Sequence, residues 1–118
     1  RSLDPLLRQS DAGRALFLTD ALAHTCTAFW GLQSISKAAL EALVHTYANE
    51  SLKTNIKINL ADPDPVSSGL RAKAMPGEDP AKLAKPVDVV PALMKLLGSD
   101  LTETGKLYTH VDGKMRDF

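Results

Sequence analysis

The chain has 118 residues, 14 Lys+Arg against 14 Asp+Glu, and a formal charge of zero. With 44% apolar and 24% charged residues it has the composition of one globular domain, without the basic excess that would favour nucleic acid or an anionic membrane. No run nears the ~18–20 apolar residues of a membrane span, and the single cysteine, Cys26, excludes an internal disulfide framework and fits a reducing cytoplasm.

The opening Arg-Ser-Leu-Asp has no initiator Met and no signal pattern, as expected of a fragment or a processed chain. Leu3, Leu6 and Leu7 at helical spacing, with Gly13 as the stop, read as the last turns of a helix over 1–12. The run Arg14–Thr19 is apolar on both faces and suits a buried parallel strand. Residues 20–31 read as a loop or an irregular lead into a helix. From Gly31 to Leu52 there is no proline and much alanine, and Leu40, Leu43, Val44 and Tyr47 fall at i, i+3, i+4, i+7. Ala38, Ala39 and Ala42 widen that stripe, so this helix is expected to pack on two sides.

Lys53–Leu60 alternates polar and apolar residues, a strand with one drier face. Residues 61–86 hold prolines 63, 65, 76, 80 and 86, and read as a long, mobile segment of the lid type. Val87–Leu97 is a helix with Val90, Leu93, Met94 and Leu97 on one face, Pro86 at its start and Gly98 at its stop. Lys106–Val111 is a strand, ended by Asp112-Gly113 and a polar tail. Alternating strands and helices imply a layered α/β fold with about three parallel strands and right-handed crossovers.

Several residues carry possible chemistry. His24 and Cys26 are two potential metal ligands without a third at useful spacing, so they read as loop residues and no metal is expected. Asp62 and Asp64 in Asp-Pro-Asp-Pro read more simply as a turn with Asx-type bonds than as a cation site. His45 and His110 stand alone. Phe29-Trp30 fits core packing or, as resemblance to a known family implies, the mouth of a site. Arg71, Lys73, Lys82 and Lys85 alternate with Glu78 and Asp79, a solvated loop.

Ser36-Lys37-Ala38-Ala39-Leu40-Glu41-Ala42-Leu43, after a strand ending Leu16-Phe17-Leu18-Thr19, resembles the short-chain dehydrogenase/reductase family. Asn59-Leu60-Ala61-Asp62-Pro63-Asp64-Pro65-Val66 is similar to that family's Asn-Pro-Gly-Pro-Val turn. Glu103-Thr104-Gly105-Lys106-Leu107 is similar to its Thr-Gly lead into the seventh strand. The resemblance covers essentially the whole chain and the C-terminal half of the family's Rossmann-like domain. Strands at 14–19, 54–60 and 106–111 would then be the fifth, sixth and seventh.

The same resemblance implies changes at the chemistry. The family's acid is a Tyr four residues before the Lys, and the residue four before Lys37 is Gln33. Its Ser lies thirteen residues before that Tyr, at Asp20 here. A Gln amide has no titratable proton in the working range, and loss of a general acid costs about 10²–10⁴-fold. A carboxylate at Asp20 would repel the charge that a Ser hydroxyl stabilises. Asp64 stands where the turn has Gly, leaving Pro63, Pro65 and Val66 as the remnant of the cofactor turn. No Gly-rich phosphate turn is present in residues 1–118.

The expected reading is therefore a truncated, non-catalytic pseudo-enzyme that binds no cofactor. It is expected to be cytoplasmic and to persist as a homo-oligomer through the 14–19 strand edge and/or the 34–52 helix. An ion pair of Asp20 with Lys37 would be structural. The alternatives are an NAD(P)-dependent oxidoreductase of carbonyl or alcohol substrates, and a small-ligand module around Asp20, Gln33, Lys37 and Trp30.

Overall fold

The computed structural model describes residues 2–117. Its centre is the strand β2 (Lys57–Asp62), in which Ile58, Asn59, Leu60 and Ala61 are all fully buried. The alternating pattern had suggested one wet face, but both faces are covered. Asn59 tolerates this because its side chain copies a ladder, donating to the Glu103 carbonyl and accepting from the Lys106 N–H, each at 3.0 Å.

On one side β2 pairs in parallel with β1 (Arg14–Leu18), and on the other with β3 (Lys106–Thr109). A fourth strand, β4 (Lys114–Asp117), runs antiparallel to β3 and gives the order β1-β2-β3-β4. It corrects the polar tail. Asp112-Gly113, read as a strand end, is a hairpin turn: Gly113 has φ +64 and the Asp112 carboxylate accepts the Lys114 N–H.

β1 also differs from its expected burial. Its residues are half-buried and Leu18 is 49% exposed, because the sheet ends here. Arg14 nevertheless locks the start of the strand. Its guanidinium donates to the carbonyls of Gly13, Asn55, Gly98, Ser99 and Leu101.

The long helix α3 (Gly31–Glu50) has no internal glycine or proline, and it places Val44 and Ala48 against Ile56, Ile58 and Leu60. Burying such side chains contributes about 1.5–3 kcal/mol each. A short helix α1 (Asp4–Gln9) brings Leu7 to the same cluster, and Tyr47 anchors it by donating its hydroxyl to Asp4 at 2.7 Å. The face of α3 carrying Ala38, Ala39, Ala42 and Leu43 is exposed, so the expected second packing side is open.

Residues 61–86 are folded rather than structureless. They carry a helix α4 (Gly69–Ala74), capped by the Ser68 hydroxyl, and a single 3₁₀ turn (Pro80–Lys82). Arg71 clasps Glu78 through two hydrogen bonds of 2.6 and 2.9 Å, and Val66 forms a lone parallel bridge with Ala84.

The last helix, α5 (Pro86–Lys95), is rotated from its expected face. Val89 and the flanking Leu96 are buried, whereas Val90, Met94 and Leu97 are exposed. Both sets are apolar, so the period alone could not choose between them. No helix among the described residues is long and apolar enough to cross a membrane.

Candidate functional site

Ligands of open α/β sheets bind beyond the carboxyl ends of the strands. Here that end gathers Thr19 and Asp20 after β1, Asp62 at the end of β2, the turn 63–66, and the first turns of α3. Asp20 is half-buried and fully engaged. One carboxylate oxygen accepts the Leu22 N–H at 2.8 Å, capping the short helix α2 (Leu22–Thr25). The other accepts the Gln33 side-chain amide at 2.9 Å.

Lys37 does not pair with Asp20, which corrects that expectation. Its ammonium donates instead to the Leu18 carbonyl at 3.1 Å.

The turn after β2 has the expected Asx bond, with the Asp64 N–H donating to Asp62 at 3.0 Å. Asp64 itself has φ +60, a left-handed conformation that glycine reaches most readily and that Asp and Asn adopt more often than other residues. One Asp64 oxygen is enclosed without a hydrogen-bond partner. Burial pushes the Asp62 carboxyl above its ordinary range, and the charges of Asp64, Asp20 and Glu41 push it the same way. Pro63 and Val66 are half-buried in this turn and Pro65 is exposed.

One group escaped the sequence reading. Glu41 is buried on α3, accepts the Thr19 hydroxyl at 2.5 Å and meets His24 Nε2 at 3.0 Å. The signal was present: Glu41 lies at i, i+3, i+7 with Val44 and Ala48, so a carboxylate sits in the inward register of the helix. The contact fastens α2 to α3 and takes His24 away from Cys26, which is exposed and free. Among the described residues no group of three or more His, Cys, Asp or Glu could hold a metal ion. Phe29 is fully exposed, so it packs in no core, while Trp30 is half-buried at the start of α3.

The same arrangement of strands and helices occurs in proteins of known structure. A short-chain dehydrogenase from Salmonella enterica serovar Typhi superposes with a TM-score of 0.88 at 34% identity, over 92% of this chain and 45% of its own. The chain is related to the short-chain dehydrogenases. The uncharacterized oxidoreductase YciK of Escherichia coli K12 is 35% identical over 100 residues, 85% of this chain and 39% of that protein. A further short-chain dehydrogenase, from E. coli CFT073 in complex with NADPH, superposes with a TM-score of 0.85 at 34% identity, over 90% of this chain and 44% of its own. No protein-family model matches the chain. This short-chain dehydrogenase relative thus spans less than half the length of the proteins it matches.

Proposed function

We propose that residues 1–118 do not themselves transfer hydride, and that the chain acts as a non-catalytic, self-associating α/β unit of oxidoreductase ancestry. The Asp20–Gln33 hydrogen bond supports this reading above all. The two positions that would hold a proton-donating Ser and Tyr hold an acceptor and an amide that satisfy each other. The Gln33 amide has no titratable proton to offer a substrate.

The strand ends also fit a nicotinamide dinucleotide poorly. Its pyrophosphate is anionic, and the charges of Asp64, Asp20 and Glu41 already bear on Asp62 there, with an Asp64 oxygen left without a donor.

Lys37 and the NADPH complex of one solved relative favour a second reading, in which these residues are part of an NAD(P)-dependent oxidoreductase acting on a carbonyl or alcohol. Mixing the purified chain with NADH or NADPH and a panel of such substrates separates the two. No turnover is expected. Turnover that Lys37→Ala abolishes would overturn the non-catalytic reading.

Self-association belongs to the same proposal, through the exposed small-residue face of Ala38, Ala39 and Ala42 on α3. Sedimentation should show an assembly that Ala42→Arg weakens. A folded wild-type monomer at low micromolar concentration would remove this part of the reading.

A further inference from the structure

We propose that the cavity inside the 66–84 segment is a binding site for a short aliphatic carboxylate. The unused arm of the Arg71 guanidinium takes its anionic end, and Met75, Pro80 and Leu83 take its chain. The cavity is separate from the strand ends, since Asp20, Gln33, Lys37 and Asp62 do not line it. The proposal does not depend on whether the chain is catalytic.

The segment builds its own cavity. Its two ends are tied where Val66 bridges Ala84 and the Ser67 N–H donates to the Ala84 carbonyl at 2.8 Å. Between those ends α4 starts at its Ser68 cap, and the chain returns through the 3₁₀ turn Pro80–Lys82. The Arg71–Glu78 clasp joins the outgoing and returning halves. An open cavity of about 210 Å³ remains between them. Sites for drug-sized ligands occupy about 300–1,000 Å³, so this one suits a molecule of a few carbon atoms. Walls already fixed by a bridge, a clasp and a cap need little further ordering when a ligand enters.

The inventory of donors sets the sign of the ligand. Glu78 takes Nε and Nη2 of Arg71, which leaves both N–H groups of Nη1 without an acceptor among the described residues. The Ser67 hydroxyl, also in the lining, has no hydrogen-bond partner among them either. The Ser68 hydroxyl accepts the Arg71 N–H and keeps its own proton to donate. A carboxylate is the acceptor that such donors lack, and its bond to a guanidinium is of the strong, charge-assisted kind.

The remainder of the lining selects the tail. Apart from Glu78 it is apolar, with Met75, Pro80 and Leu83 among its side chains. An inorganic anion leaves that surface wet. An aliphatic chain covers it, and each methylene buried adds about fourfold to the affinity.

Glu78 tempers the site. The Arg71 guanidinium holds the Glu78 carboxyl below its ordinary range, so Glu78 is charged at neutral pH and competes with a second anion for Arg71. Removing that charge should therefore tighten binding, whereas a purely structural clasp would only be weakened.

The test titrates the full 118-residue chain, isotope-labelled, with sodium butanoate at neutral pH and constant ionic strength, followed by NMR. The expected result is a saturable, millimolar shift of the Arg71 Nε–H, the Ser67 amide and the Met75 methyl. Acetate, two methylenes shorter, should bind about fifteenfold more weakly, and butan-1-ol should shift nothing. Glu78→Gln keeps an oxygen for Arg71 and should tighten butanoate binding severalfold, while Arg71→Gln should abolish it. Ser67→Ala touches neither bond of the clasp, so it keeps the test open where an Arg71 or Glu78 variant loses the fold of the segment. It should weaken binding about two- to tenfold.

Four outcomes overturn the proposal. One is no saturable shift at tens of millimolar butanoate. Another is equal binding of acetate or butan-1-ol. The third is weaker binding by a folded Glu78→Gln chain, or undiminished binding by Ser67→Ala or a folded Arg71→Gln chain. The last is a shift at Leu18 and Asp62 in place of Ser67 and Met75, which moves the ligand to the strand ends.

Discussion

The Gln33 amide and the Asp20 carboxylate are hydrogen-bonded at 2.9 Å, and the second Asp20 oxygen caps α2 through the Leu22 N–H. The two contacts are unequal in consequence. Gln33→Ala leaves Asp20 with its cap and a partly solvated oxygen, so urea unfolding should show a loss of about 0.5–1.5 kcal/mol. Asp20→Ala removes the cap as well and should cost more, about 1–3 kcal/mol. Equal losses for the two variants would show that the cap contributes nothing.

Removing the Glu41 carboxylate should cost about as much as removing that of Asp20. Glu41→Ala deprives the buried Thr19 hydroxyl of its acceptor and breaks the tie to α2, an expected loss of about 1–3 kcal/mol. His24 lies at the exposed rim of the same contact, so His24→Ala should cost less than about 1 kcal/mol. Denaturant midpoints of the two variants give the ranking directly.

Asp62 makes stability fall as pH rises. Burial lifts its carboxyl above the ordinary value, so between the unfolded and folded values the native state binds more protons than the unfolded one. Its penalty is absent below the ordinary carboxylate value and complete above the raised one. Asp62→Asn keeps an oxygen for the Asp64 N–H and removes the charge. The variant should therefore gain stability at pH 7 and gain little near pH 3.5, when chemical unfolding is compared at both.

Tyr47 titrates in the opposite part of the scale. Burial, reinforced by its bond to Asp4, pushes the phenol up to about 12 from an ordinary 10.0. Stability linked to it is fully present below the unfolded value and is lost as pH rises toward 12. Ultraviolet titration near 295 nm should show a late tyrosine ionisation, and Tyr47→Phe should remove that phase.

The elements were legible where one property dominated. The proline-free alanine run gave α3 within a residue or two of its ends, and the glycine before Arg14 gave the start of β1. Legibility failed where two apolar patterns competed. α5 is apolar over more than half its circumference, so Val90 and Met94 looked as suitable for the core as Val89 and Leu96. β4 was missed because Asp-Gly ends strands and also turns hairpins, and only pairing with β3 decides which. The resemblance singled out Asp20 and Gln33 by spacing, and the fold brings their side chains into contact. Their mutual bond and the preference of Lys37 for a carbonyl depend on tertiary distances that no spacing encodes.

The guanidinium of Arg14 has a consequence for how the chain can be divided. Its acceptors at Gly98, Ser99 and Leu101 lie 84 to 87 residues further along the sequence. The connection that ends α5 and leads toward β3 is thereby held against the first strand, and three carbonyls at that connection take their donor from the far end of the chain. Closing so long a loop is entropically late, and its reward arrives only when both termini are in place. A polypeptide cut before residue 98 would leave a cation at the start of the sheet with most of its acceptors removed. The first strand and the last connection are thus tied through one side chain, and a cut between them unties both.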